Sequence, residues 1–89
     1  MASEQLLKTL ENMSNDDFET FKWFLEKPVV EDCKPIPKCH LEDAKRTKIV
    51  TKMIESYGDN LAVKVAIEVL RKQRLNDVAE KLKKAYEGE

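Results

Sequence analysis

The chain has 89 residues, enough for one small domain, with 16 Lys and Arg against 17 Asp and Glu. Two glycines and three prolines are too few for a turn-rich β fold, so helix is favoured throughout. The sequence pI near 5.9 lacks the basic excess of most nucleic-acid-binding domains. The polar start, Met1–Gln5, shows no signal-peptide pattern, so we expect a cytoplasmic protein without a membrane-spanning segment.

Two amphipathic helices are predicted at the start of the chain. The first covers about residues 3 to 13. Its apolar stripe consists of Leu6, Leu7, Leu10 and Met13. Ser14 is typical of an N-cap, and Asp17 three residues later completes a capping-box-like pattern. The second helix then extends to about Glu26, because the residue before Pro28 is disfavoured in a helix.

Residues 27–40 show no helical period and hold all three prolines and both cysteines. A loop of this length in a small bundle is commonly functional or mobile. We interpret Cys33 and Cys39 as reduced thiols. Two alternatives stay open, a Cys33–Cys39 disulfide and a metal site at Cys39 and His40, although the metal site has too few donors at a suitable spacing. One short helical turn is predicted at residues 41–44.

The centre of the fold is predicted to be a buried helix. The segment Leu61–Leu70 is apolar on nearly every side and is interrupted only by Lys64 and Glu68. It is too short to cross a bilayer, which requires about 20 apolar residues. We expect Asp59 or Asn60 to cap this helix, which then runs to about residue 73.

Two further helices flank the central one. Apolar residues at helical spacing predict a helix over residues 49–57, closed by Gly58 in a position that tolerates a left-handed backbone. The last helix is predicted to start at Asn76. Its inward-facing residues are expected to be Val78, Ala79, Leu82 and Tyr86. The chain is therefore expected to form five helices and a short one.

The charges are segregated along the sequence. Residues 1–26 carry two lysines against six acidic residues, a sum of −4. Residues 34–52 carry six basic residues against two acidic ones, a sum of +4. An electrically two-sided molecule suits head-to-tail contact with another copy or with a related domain.

Catalysis finds little support in the sequence. The single histidine, His40, has no serine or lysine arranged with it as a nucleophile and base. Glycine-rich phosphate loops and calcium-binding loops are also missing. We predict a protein that is not an enzyme and that holds no cofactor or metal.

The order of the segments resembles the pyrin domain, a branch of the death-fold superfamily. Leu6–Met13 looks like its first helix, and Phe18–Leu25, with its Phe-Lys pair, looks like its second. Ile36-Pro37-Lys38 is similar to the Ile-Pro-basic step before the short third helix of the family, and residues 75–82 are similar to its closing helix. The resemblance covers residues 1–89 as one domain, with a core of about 3–86. The Phe-Lys pair and the Ile-Pro step favour this branch over caspase-recruitment or death-effector domains.

This resemblance implies an all-α fold, a six-helix antiparallel Greek-key bundle (death fold) with a long loop before a short third helix. It also implies a homotypic interaction domain that recruits or polymerises with other pyrin domains, of an ASC-type adaptor or an NLR-type sensor. Such domains form helical filaments in inflammasome, innate-immune or apoptotic signalling. In the main family contact, a basic face on helices two and three meets an acidic face on helices one and four.

The charges of this chain are partly inverted relative to the family pattern. Glu19 and Thr20 stand where members often carry lysines, and Lys45 and Lys48 stand where acids are usual. The candidate partner-binding residues are Glu11, Asp16, Asp17, Glu19, Lys22, Trp23, Lys38, Lys45, Lys48 and Lys52. Alternatively, these charged residues form a solvated face and bind no partner, since an exposed ion pair contributes only about 0–1 kcal/mol to the free energy of binding or folding.

Trp23 points away from the predicted core face of its helix, which suits an interface anchor. The alternative is that the 27–40 loop covers it. An alternative function is a small helical nucleic-acid-binding domain that contacts phosphates through the basic face from Lys45 to Lys52, including Arg46.

Overall fold

A computed structural model describes residues 2–27 and 35–88. These residues form six α-helices and no strand, which confirms the all-α, six-helix prediction. The helices are α1 (Ala2–Glu11), α2 (Asn15–Leu25), α3 (Lys38–Leu41), α4 (Arg46–Tyr57), α5 (Asp59–Lys72) and α6 (Asn76–Glu87). None of these helices combines the length and apolar character needed to cross a bilayer.

α5 is the centre of the bundle, as predicted. It packs against α1, α2, α4 and α6. Its buried side chains are Ala62, Val63, Val65, Ala66, Val69 and Leu70. Between Leu61 and Leu70, Lys64 is the exposed residue, and Glu68 is half-buried. Fully burying a side chain of valine or leucine size contributes about 1.5–3 kcal/mol, so this helix organises much of the core.

The ends of the helices confirm two predicted caps. Ser14 lies in an extended conformation before α2, and its Oγ accepts a hydrogen bond from the Asp17 backbone N–H over 3.1 Å. Gly58 has φ of 81° and ψ of 170°, a conformation open almost only to glycine. Its N–H donates to the Ile54 carbonyl that closes α4, and its carbonyl accepts from Ala62 in α5.

Several helix boundaries differ from the prediction, including the start of α4, which is Arg46 instead of residue 49. Gly58, rather than Asp59 or Asn60, is the N-cap residue of α5. α1 ends at Glu11, two residues early, although Met13 is still buried. The short third helix is Lys38–Leu41 instead of 41–44. The reason lies in the backbone at both ends of that helix. Pro37, with φ of −57°, starts it, and Asp43, with φ of 56°, cannot continue it.

The end of α5 contains a strained residue. Arg74 has φ of 65°, and the Leu75 N–H behind it donates to the Leu70 carbonyl over 2.8 Å. The Arg74 N–H donates to the Arg71 carbonyl over 3.0 Å, which completes a Schellman motif. Glycine is the usual residue at this left-handed position, and a residue with a Cβ costs about 1–2 kcal/mol there.

We predict that Arg74→Gly raises the free energy of unfolding, by up to about 1 kcal/mol after the extra chain entropy of glycine is subtracted. Such a gain corresponds to a rise in Tm of about 4–8 °C for a domain of this size. The matched control is Arg74→Ala, which removes the guanidinium but keeps the Cβ. Thermal unfolding followed by circular dichroism checks both variants, and an equal gain in Arg74→Ala would contradict the backbone explanation.

A second prediction concerns the central helix. Val65→Asp places an unpaired charge at a position that is 2% exposed, with a cost of several kcal/mol against a total stability of about 5–15 kcal/mol. We expect the cooperative thermal transition to be lost. Lys64→Asp, at the exposed neighbouring position, is the control and should melt close to the parent. A Val65→Asp protein that melts within a few degrees of the parent would show that this side chain is not in the core.

Candidate interaction surfaces

The most exposed large apolar side chain in the described part of the chain is Trp23, with 53% of its surface accessible. Phe18, Phe21 and Leu25 face the core on the other side of α2. The structure therefore confirms that Trp23 points outward. Its ring meets the Phe24 ring edge-on at 5.1 Å, and the Lys27 ammonium lies 4.9 Å from its centroid. Residues 28–34 of the loop proposed to cover it lie outside the described residues.

Trp23 lies at one side of an open groove of about 360 Å³ between α2 and α3, which we call the tryptophan groove. The other lining residues are Glu19, Lys22, Glu26, Lys38, Leu41, Glu42 and Asp43. Both lysines among the described lining residues are paired with acids, Lys22 with Glu19 at 2.7 Å and Lys38 with Glu42 at 3.9 Å. Two further carboxylates, Glu26 and Asp43, remain, so the described lining has an acidic excess, although the Lys27 ammonium lies beside the exposed indole.

Lys22 is turned into the protein. It is 9% exposed, and its Nζ donates to the Ala44 carbonyl over 3.4 Å as well as pairing with Glu19. The same ammonium lies 5.1 Å from the Phe18 ring centroid. These contacts fasten α2 to the turn before α4. The Lys22 ammonium is therefore bound to groups of its own domain, which weighs against direct contact between Lys22 and a partner.

A second open groove, of about 560 Å³, lies between α1, α2 and the turn from α3 to α4. It brings together Glu11, Glu19, Lys22 and Lys45, four of the predicted site residues. Acidic and basic side chains are thus mixed here, although they come from stretches of opposite net charge. The charge segregation seen along the sequence is only partly kept on the surface.

The remaining predicted residues lie outside both grooves. Lys48 is exposed on α4, and Lys52 pairs with Glu55 at 3.8 Å one turn later. Asp16 and Asp17 occupy the first turn of α2, where acids complement the helix dipole. The Asp17 carbonyl accepts a hydrogen bond from the Gln73 side chain over 2.9 Å, which ties α2 to the end of α5.

Arg46 also faces inward. Its guanidinium donates to the Leu10 carbonyl over 2.7 Å and to the Met13 carbonyl over 2.9 Å, where α1 ends. It lies 4.6 Å from the Phe18 ring centroid and reaches the Asn15 side-chain oxygen over 3.4 Å. One side chain thereby connects the start of α4 to the junction between α1 and α2.

Cys39 and His40 are exposed on α3. Cys39 is a free cysteine, and Cys33 lies outside the described residues. Within residues 2–27 and 35–88, no group of three His, Cys, Asp or Glu side chains is placed to hold a metal ion.

The sequence analysis missed part of the tryptophan groove. Glu26 lies three residues after Trp23 and seven after Glu19, so helical spacing alone places all three on one face of α2. Glu42 and Asp43 join them through the turn after α3, and no sequence pattern indicates that approach.

The comparisons with known proteins agree with this architecture. The family model described as the PAAD/DAPIN/Pyrin domain matches residues 5–80. The chain belongs to the pyrin-domain family. The solution structure of the pyrin domain of human Pyrin superposes over the whole of both chains, with a TM-score of 0.88 and 32% sequence identity. The family is a protein-interaction fold and not an enzyme family.

Two relatives differ in the share of their own length that the chain covers. Mouse Pyrin is 35% identical over 83 residues, which are 92% of this chain and 11% of that protein. Human Pyrin domain-containing protein 1 is 30% identical over 83 residues, which are 92% of this chain and 93% of that protein. This chain therefore spans about a tenth of the length of mouse Pyrin and nearly all of the shorter relative.

The position of Arg46 generates a prediction. Arg46→Ala removes two charge-assisted hydrogen bonds to carbonyls, and we expect a loss of about 1.5–3 kcal/mol in the free energy of unfolding. Arg46→Lys should recover less than half of this loss, because an ammonium cannot reproduce the fork of the guanidinium. Lys45→Ala, at the exposed neighbouring position, should stay within about 0.5 kcal/mol of the parent. Urea unfolding followed by circular dichroism measures all three, and equal effects at positions 45 and 46 would contradict the assignment.

Proposed function

We propose that this chain is a homotypic interaction module that recruits or polymerises with other pyrin domains, of ASC-type adaptors or NLR-type sensors. The setting would be cytoplasmic, in inflammasome and innate-immune or apoptotic signalling. The observation that carries the proposal is the exposed indole of Trp23 in a groove with an acidic excess, while every other large apolar side chain within residues 2–27 and 35–88 is at least half-buried. Exposed aromatic residues of this kind are typical anchors of protein interfaces.

A second surface of opposite charge supports the same proposal. The α4 lysine face, made of Lys45, Lys48 and Lys52, lies on a different helix from the tryptophan groove. A contact between two different surfaces is heterologous, and it propagates as a filament when the rotation does not close. The exposed charges would mainly steer and select the partner, whereas burial of the indole would supply affinity.

The alternative function, nucleic-acid binding, relied on four basic residues, and one of them is not available to contact phosphates. Arg46 is occupied by the carbonyls at the end of α1. The remaining face is small, and we therefore favour protein contact for these lysines.

Self-association and binding to a purified ASC pyrin domain test the proposal. We expect concentration-dependent light scattering, filaments in negative-stain images, and capture of the adaptor domain in a pull-down. Capture should weaken between about 0.1 M and about 1 M salt, where the Debye length falls from about 10 Å to about 3 Å. Lys48→Glu should weaken association by roughly 2- to 10-fold, as expected for a partly exposed charge contact.

Lys81→Glu on α6 is the control, because it makes the same change of charge at an exposed site outside the α4 lysine face. A protein that stays monomeric at high concentration and low salt, and that captures no pyrin domain, would overturn the proposal. Equal effects of Lys48→Glu and Lys81→Glu would show that the α4 lysine face acts only through net charge.

A further inference from the structure

A third surface lies between α5 and α6 and shares no lining residue with the two grooves described above. It is an open groove of about 260 Å³ whose floor is apolar, formed by Val63, Ile67 and the Tyr86 ring. Val63 is buried, and the other two side chains are half-buried. The Tyr86 hydroxyl donates to the Asn60 side-chain oxygen, which holds the ring at the end of the groove. We call this surface the α5–α6 groove.

The rim of the α5–α6 groove is charged, with three basic and two acidic side chains in its lining. Lys64 and Lys83 are exposed, and neither forms an ion pair with any described residue. Arg71 lines the rim as well, but it is bound to Glu68 at 3.4 Å and to Glu80 at 3.3 Å. Glu87 is the remaining acidic side chain of the lining. The groove therefore fits an apolar group that is flanked by carboxylates.

The chain itself displays such a group on α2. Trp23 is half-exposed, and Glu19 and Glu26 stand four residues before it and three after it, on the same face of the helix. Glu19 is also paired with the inward Lys22 at 2.7 Å, and the Lys27 ammonium lies 4.9 Å from the ring centroid, so a partner groove has to displace or accommodate that ammonium. Trp23 does not line the α5–α6 groove of its own chain. The two surfaces can therefore meet only between different copies.

We propose that the α5–α6 groove receives the Trp23 side chain of a second copy of this chain. In that contact Glu19 and Glu26 of one copy face Lys64 and Lys83 of the other. The inference rests on the proposed self-association and specifies where the indole binds. Each copy carries both halves, so the contact is heterologous and can repeat from copy to copy.

The α4 lysine face is the rival receptor for the acidic side of α2. Its exposed neighbours on α4 are Thr47, Thr51, Glu55 and Ser56, all of them polar. Such a face offers the indole a cation–π contact with a lysine but no apolar floor. The α5–α6 groove offers both an apolar floor and basic side chains, so it removes more of the ring from water. The α4 lysine face is then left for a different contact.

Trp23 is the only tryptophan of the chain, which allows a direct test by fluorescence. The fluorescent partner is the Lys64→Glu/Lys83→Glu double variant, which keeps Trp23 but carries negative charges in place of two positive ones on the rim of the α5–α6 groove. The dark partner is Trp23→Ala, which has no tryptophan and keeps the α5–α6 groove. Both changes are at exposed positions, and circular dichroism confirms that each variant is folded.

Titration of the dark partner into the fluorescent one should shift the Trp23 emission to the blue and protect it from acrylamide. The change should saturate at one to one, because only one intact contact is possible per pair. Each variant alone should associate at least about tenfold more weakly than the parent, and Lys72→Glu/Lys81→Glu, with the same change of charge, should associate like the parent.

Two further dark partners decide which surface receives the indole. Trp23→Ala/Lys64→Glu/Lys83→Glu should give no shift, whereas Trp23→Ala/Lys48→Glu should give the full shift. The reverse pattern would show that the α4 lysine face is the receptor and would overturn the inference. The inference alone also fails if the parent assembles with itself and the Trp23 emission does not change. If the parent neither assembles nor captures a pyrin domain, the proposed function fails with it.

Discussion

Burial of α5 is the constraint on which the rest of the structure depends. A helix that is apolar on most of its circumference has to be covered from several sides, and here α1, α2, α4 and α6 cover it. That requirement leaves little room for an enclosed cavity in the described part of the bundle. The grooves that do occur lie between neighbouring helices at the surface, where side chains of different elements meet. Such a fold is suited to presenting surfaces to other molecules.

The basic residues divide into those that hold the domain together and those that face outward. Lys22 and Arg46 both lie against the Phe18 ring and donate to backbone carbonyls, so they connect α1, α2 and α4. Lys45 and Lys48 are exposed, and no described residue forms an ion pair with either of them. The position of a basic residue in the sequence therefore does not show whether its charge lies on the surface. The outward charge of α2 is acidic as a result.

The fold was largely predictable from the sequence, because its signals are local. The apolar circumference of α5, the Ser14 cap and the positive φ of Gly58 are each encoded within a few residues. The third helix was misplaced because Pro37 and Asp43 fix its ends through backbone angles that hydrophobic spacing does not reveal. The outward direction of Trp23 followed from helical spacing, whereas the inward direction of Lys22 and Arg46 did not. Their acceptors are backbone carbonyls 22 to 36 residues away in sequence, and every residue type offers a carbonyl.

Gly58 is the entire connection between α4 and α5, since its N–H ends one helix and its carbonyl begins the next. The α4 lysine face and the α5–α6 groove lie on either side of this single residue. Their relative direction consequently depends on one pair of backbone angles and on the packing of α4 against α5, rather than on a loop of many residues. In a polymer that uses both surfaces, the rotation and the rise from one subunit to the next would depend on that joint. The pitch of such a polymer would then depend on the backbone angles of Gly58.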